Sequence, residues 1–239
     1  MEHPWIERYK CLPDPWPWKD EENKEAWNKL YWRTIFFYLL NAQVITPFLY
    51  APFWIFDEPL LLDITMEGIP SSAKLFGQLL FCVMVEDAVF YLSHRSLHHP
   101  FFYHHIHKIH HEHKMTVGIA AQYAHPLEYV FGNLLPIGMG PAILGTRIHF
   151  LTAYAWYTIR LFESVDGHSG YEFSWSPFRI LPFATDLGYH VYHHSHNIGN
   201  YGSFFTFWDT IYGTNSVYHT YLREKRVEDK QKKLLNKNK

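Results

Sequence analysis

Four stretches of this chain are apolar over lengths that matter, and polar segments separate them. Thr34 to Phe56 runs 23 residues without a formal charge, which is the length of a membrane-spanning helix, although Asn41, Gln43, Pro47 and Pro52 interrupt it. Ala73 to Leu92 follows, with Glu86 and Asp87 near its far end. Tyr129 to Thr146 is charge-free for 18 residues but holds several Gly and Pro. His149 to Phe162 is apolar and aromatic and leads through Arg160 to Glu163 and Asp166. Together they predict an all-α integral membrane protein with about four transmembrane helices. A mean hydropathy of −0.21 also fits a soluble helical enzyme, so the membrane reading rests on the local runs. Charges at membrane depth usually face the interior and pair, so Arg160 and Glu163 are expected to form a structural ion pair.

The flanks read differently. Pro4, Pro13, Pro15 and Pro17 break any helix near the start, and Trp5, Trp16 and Trp18 are placed either as interfacial anchors or as packing against the body. The first thirty residues are polar and show no short apolar core of a signal peptide. Three regions result: a cytosolic or interfacial segment at 1–33, a membrane-embedded unit at 34–222, and a basic tail at 223–239, read as a solvated helix or as disordered.

The histidines change the picture. There are 18 in 239 residues, and nine fall between His94 and His113. They form HRSLHH (His94 to His99), HKIHH (His107 to His111) and HVYHH (His190 to His194). Offsets of three and four put such rings on one face of a helix. Imidazole is a common ligand for zinc, copper and iron. Eight convergent ligands from these boxes exceed the needs of one ion, so two metal ions are expected. His168, in ESVDGHSGY, fits a ninth ligand at a helix end. His125, in QYAHPLE, could be a ligand or face the substrate, with Glu128 orienting it. Asp87 shares a face with Tyr91, His94 and His98 and could hold a ligand imidazole. Asp166 is a further candidate for the surroundings of the ligands. His99, His104, His105, His113 and His196 are expected at the surface or behind the ligands, and His3, His149 and His219 look incidental. Only Cys11 and Cys82 are present, which argues against zinc fingers and iron–sulfur clusters and excludes any disulfide framework beyond one bridge.

With four spans, the first two boxes follow span two and the third follows span four, so all meet on one side. The tails and histidine segments hold most of the Lys and Arg, which makes that side cytosolic by the positive-inside rule. The net charge of −2 does not point to nucleic acid. Nitrogen-rich, thiolate-free ligation suits zinc, copper or non-haem iron. Two irons could use dioxygen to take hydrogen from an unactivated carbon, and a site at the membrane surface suits a greasy substrate.

EDAVFYLSHRSLHH, IHKIHHEH, QYAHPLE, TIRLFESVDGHSGY and YHVYHHSHNIGNYGSFFTFWDTIYGT resemble the methylsterol monooxygenase branch of the fatty acid hydroxylase and sterol desaturase superfamily. The resemblance covers roughly Lys74 to Tyr218. It implies stepwise oxidation of a methyl group at sterol carbon four by a di-iron centre with dioxygen, zinc being a possible substitute metal. It implies electrons from NAD(P)H through cytochrome b5 and its reductase, an endoplasmic reticulum membrane, and association with other sterol-demethylation enzymes. Carried over by motif, the ligands are His94, His98, His107, His110, His111, His168, His190, His193 and His194. Gln122 stands where the family pattern has an acidic residue before YAHP. Within the superfamily a sterol desaturase or a fatty-acyl or alkane hydroxylase is the alternative. Outside it, a membrane metal transporter is.

Overall fold

The computed structural model describes residues 4–12, 14–55 and 62–237. The far end of the first apolar run at Phe56, residues 57–61 and His3 lie outside them. The regular structure of the described residues is all helical, with three isolated β-bridges and no strand. Three helical stretches, Lys24–Pro52, Ser72–Leu97 and Pro126–Arg147, are long and apolar enough to cross a membrane.

The first stretch begins earlier than its charge-free run, because Lys24 to Arg33 continues the same helix. Helix α1 (Lys24–Leu40) passes through a π turn at Asn41–Ile45 into α2 (Thr46–Ile55). The π turn falls just before Pro47, whose ring would collide with the carbonyl of residue 43 and which offers no N–H. The Asn41 side chain uses this widened turn to donate to the Ala124 carbonyl at 2.9 Å. Helix α3 (Ser72–Leu97) starts at Ser71, whose hydroxyl accepts the Lys74 N–H. It packs along α4 (Leu135–Leu144). The two approach closely at Gly140, where a Cβ would lie 2.9 Å from the Cys82 Cα.

Helix α5 (Phe150–Gly167) completes the body. His149, which looked incidental, is buried and caps it, accepting the Leu151 N–H on Nδ1. Trp156 of α5 donates to the Ile137 carbonyl and packs with Cys82, Ile148, Ala153 and Phe204. Arg160 is buried and paired with Glu163, as the sequence predicts, but also with Glu86 of α3 at 2.6 Å. Breaking such a buried pair from one side typically costs about 3–5 kcal/mol, so this cross-link holds α3 against α5 where both approach the histidines.

The remaining elements are α6 (Leu187–His196), α7 (Phe207–Tyr212) and α8 (Ser216–Lys237). The basic tail is therefore a helix that starts before residue 223. The N-terminal segment is mostly irregular, with one short turn at Pro4–Glu7. It packs rather than anchors at Trp16, which is buried, stacks on Trp18 and lies against Gly170, two residues past His168. Gly170 has φ +76°, and any Cβ there would strike the Thr116 carbonyl and the Trp16 ring, so this close approach needs glycine. Trp5 and Trp18 remain exposed. Cys11 and Cys82 are both free.

Candidate metal centre

The nine histidines expected as ligands converge in two sets. His94, His98, His107, His111 and His193 form one, and His110, His168, His190 and His194 the other. Within each set the candidate ligand nitrogens lie within 4.8 Å of one another. The boxes do not each serve one ion, as a shared helical face would have it. His107 and His111 join the five-histidine set while His110 turns to the other. His190 and His194 join the four-histidine set while His193 turns back to the first. The third box, HVYHH, sits on the regular helix α6. The second, HKIHH, does not sit on one: Tyr103–His107 is a π turn and His110–Glu112 a 3₁₀ turn. Such distortions re-aim side chains and are frequent at functional sites.

The ring tautomers follow from their partners. His94 Nδ1 faces the Tyr201 carbonyl at 2.9 Å and His110 Nδ1 the Tyr123 carbonyl at 2.9 Å. His168 Nδ1 faces the Ser164 carbonyl at 2.8 Å, and His193 Nδ1 the Gly199 carbonyl at 2.6 Å. His107 Nδ1 meets Glu128 Oε1 at 2.7 Å. A carbonyl or a carboxylate only accepts, so each of these Nδ1 atoms donates and each Nε2 of the neutral ring keeps its lone pair. Those Nε2 atoms lie close to the nitrogens of other imidazoles. His107 is 3.0 Å from His98 and from His111, His98 is 3.1 Å from His193, and His168 is 2.9 Å from His190. His110 and His168, both fixed as Nδ1 donors, stand 3.4 Å apart Nε2 to Nε2. Lone pairs aimed at one another inside a protein repel unless a cation lies among them. Burial keeps the rings uncharged: it pushes His110 down to about 4 and His98 to about 2, and His107, His111, His168, His190, His193 and His194 well below the usual imidazole range. Neutral imidazoles are the form that ligates, so the residues fit a pair of metal ions held by nitrogen.

The loop between α6 and α7 sets two of these rings. Asp209 is fully buried and accepts the backbone N–H groups of Tyr201 and Gly202 at 3.0 and 2.7 Å and the Thr214 hydroxyl at 2.5 Å. The residues that WD and GT contribute to the sequence motif thus clamp GNYGS, and GNYGS supplies the carbonyls that hold His94 and His193. Gly199, at φ +63°, passes so close to the Thr214 carbonyl that no Cβ would fit.

Several expectations need correction. Asp87 is buried, but the hydrogen bond it accepts comes from the Phe205 N–H at 2.9 Å, not from an imidazole. Glu128 orients His107 rather than His125. His125 belongs to neither histidine set: its Nδ1 accepts the Leu127 N–H and caps the turn Pro126–Glu128. Asp166 bonds Arg179 and Ser176 at 2.8 and 3.1 Å, away from the rings. His113 is buried beside Thr34 and pairs with its hydroxyl at 2.8 Å. The carbonyls of Tyr201, Gly199, Tyr123 and Ser164 were not foreseen, because a backbone acceptor leaves no mark in a sequence.

Residues 79–214 match the family described as fatty acid hydroxylase. The chain belongs to the fatty acid hydroxylase family. Methylsterol monooxygenase 1 of Gallus gallus is 35% identical over 231 residues, covering 96% of this chain and 74% of that protein. Methylsterol monooxygenase 1 of Rattus norvegicus is 35% identical over 213 residues, covering 89% and 72%. The very-long-chain aldehyde decarbonylase GL1-11 of Oryza sativa subsp. indica is 38% identical over 170 residues, covering 70% and 62%. No solved structure matches. Family membership makes the protein an enzyme, and the metal-transporter alternative falls away.

Proposed function

We propose that this protein is a methylsterol monooxygenase that oxidises the methyl group at carbon four of 4-methyl or 4,4-dimethyl sterols. The observation that carries the metal chemistry is the facing of His110 and His168 through unprotonated nitrogens. The substrate class rests on the relatives: the two named for methylsterol oxidation align with 96% and 89% of this chain, the decarbonylase with 70%.

In this reading all nine histidines are ligands, five to one iron and four to the other, with zinc able to substitute. Two irons held by neutral nitrogens supply the reductive use of dioxygen and the removal of hydrogen from an unactivated methyl group. The protein's own work is to keep the rings neutral by burial, to fix the tautomers of five of them through Glu128 and four carbonyls, and to close the site from bulk water. Electrons come from NAD(P)H through cytochrome b5 and its reductase. The apolar stretches, with α5 as a fourth, span the endoplasmic reticulum membrane and leave the centre on the cytosolic side. Residues 1–33 and 223–239 flank this unit, and other sterol-demethylation enzymes are partners.

The test is anaerobic reconstitution with ferrous iron followed by turnover with a 4,4-dimethyl sterol and with fatty acids. Reductant-dependent oxygen uptake with oxidation of the sterol methyl group is expected. An untouched sterol beside a hydroxylated acyl chain would move the enzyme to another branch of the superfamily.

A further inference from the structure

A groove of about 800 Å³ opens on the flank of the protein between α1 and α5. Trp18, Trp27, Tyr38, Ile119, Leu161 and Val165 line it. Beside it lies a cavity of about 150 Å³ that shares Gln122 and Leu161 as a common wall. This cavity in turn shares Ala121, Asn133, Arg160 and Ser164 with a tight chamber of about 50 Å³ that His94, His107, His110, His168 and His190 border. The three spaces lie in series, each sharing lining residues with the next, from the flank of a candidate membrane helix to the ligand histidines. Phe36 and Leu39 of α1 and Phe162 of α5, each next in sequence to a lining residue, are exposed and apolar, as suits lipid.

The local sequence makes the opening. Both α1 and α5 pack on the short turn Gly118–Gln122, and the groove lies between them above it. Gly118 lets that turn sit against α5: a Cβ there would stand 3.3 Å from Val165.

We propose that substrate reaches the metal centre sideways from the membrane through this groove, hydroxyl-bearing ring first, and that the Gln122 and Asn133 amides receive that hydroxyl. The occupant rests on the sterol reading above; the route does not. Aromatic and aliphatic walls suit a flat, rigid, largely apolar body, and a few placed polar groups suit one polar end. The two amides stand at the narrow part, and neither side chain has a hydrogen-bond partner among the described residues. Arg160, the cation on this wall, is committed to Glu86 and Glu163, so the passage offers a neutral hydroxyl better terms than a carboxylate. A hydroxyl received beside the metals brings the neighbouring ring carbon and its methyl group toward them, while the apolar remainder trails in the groove. In this arrangement Gln122, which departs from the family pattern, is a specificity residue.

A photoactivatable sterol in nanodiscs holding the full chain tests the route. Label is expected on peptides containing residues 27–38, 118–122 and 161–165, and an excess of 4,4-dimethyl sterol should remove it. Label confined to other lipid-facing surfaces such as 76–84, without competition, overturns the route. Leu161→Trp should narrow the passage, weaken labelling and raise KM about tenfold at unchanged bound metal and nearly unchanged kcat; unchanged labelling and KM overturn it. Asn133→Leu should raise KM for a free sterol but not for its 3-methyl ether, and equal effects on both overturn the role of the amide. If a photoactivatable fatty acid labels the same peptides and the sterol does not, the sterol reading and the occupant fail while the route stands.

Discussion

His110 and His168 face each other with 3.4 Å between their Nε2 atoms, and each has its Nδ1 proton already given to a carbonyl. No proton remains to bridge them while both rings are neutral. The pair makes sense around a cation, and the same fixing of the Nδ1 proton holds for His94, His107 and His193 in the other set. The crossing of the two HxxHH boxes follows: the outer pair of each box serves one set and the middle histidine the other. Each box therefore ties the two sets together.

Single replacements should separate ligands from bystanders. His110→Ala is expected to abolish turnover and lower bound metal while the protein still inserts in membranes. His125→Ala removes only a cap on a short turn, worth about 1 kcal/mol or less, and should keep full metal content. Metal analysis of both purified variants checks this, and loss of metal from His125→Ala would restore it to the ligand set.

Glu128→Gln should act through His107. The amide keeps the shape but loses the charge that makes the ring a better donor to metal. Removing such a partner typically lowers metal affinity about 10–100-fold. Competition with a chelator measures it, and an affinity equal to that of the unmodified protein would show that the 2.7 Å contact does not tune the ligand.

Acid should destabilise the metal-depleted protein through these rings. In the unfolded chain they titrate near the ordinary histidine value of about 6.5. Folded, burial lowers His110 to about 4 and His98 to about 2. Below about 6.5 the unfolded state binds more protons, so stability present above that pH declines as pH falls toward the folded values. Denaturant melts from pH 7.5 down to 4.5 in detergent should show that decline, and a flat profile would mean the rings are not held neutral by the fold.

The histidine spacing carried the convergence because ligand-bearing side chains repeat visibly along the chain. The apolar runs likewise carried the helices, although α1 begins well inside the polar segment because Lys24 to Arg33 extend the same helix outward. Assigning rings to sets lay beyond the spacing. His190, His193 and His194 divide between the sets on the regular helix α6, and His107, His110 and His111 divide in the same way across a π and a 3₁₀ turn, so the division depends on where the two sets lie around each segment. Asp87 and Glu128 show a second limit. Both were expected to orient a nearby ring, yet each acts on a group distant in sequence: Asp87 on the Phe205 N–H, Glu128 on His107. Pairing across 21 or 118 positions leaves no local signature.

Asp209 touches no histidine but governs two of them. Its carboxylate holds the backbone of Tyr201 and Gly202, and the same loop presents the Tyr201 and Gly199 carbonyls to His94 and His193. Both rings belong to the five-histidine set, whereas His110 and His168 take their acceptors from Tyr123 and Ser164, on other segments. Asp209→Ala should therefore loosen one set and spare the other. It leaves two buried N–H groups unpaired, at about 1–3 kcal/mol each, enough to shift the loop. The expected result is a fall from two bound metal ions per chain toward one, with turnover lost because both are required. Asp209→Asn keeps one carbonyl acceptor and should retain part of the second ion. Metal stoichiometry of the two variants decides the matter: if both ions leave together, the loop supports the whole centre, and if neither leaves, its carbonyls do not hold the rings.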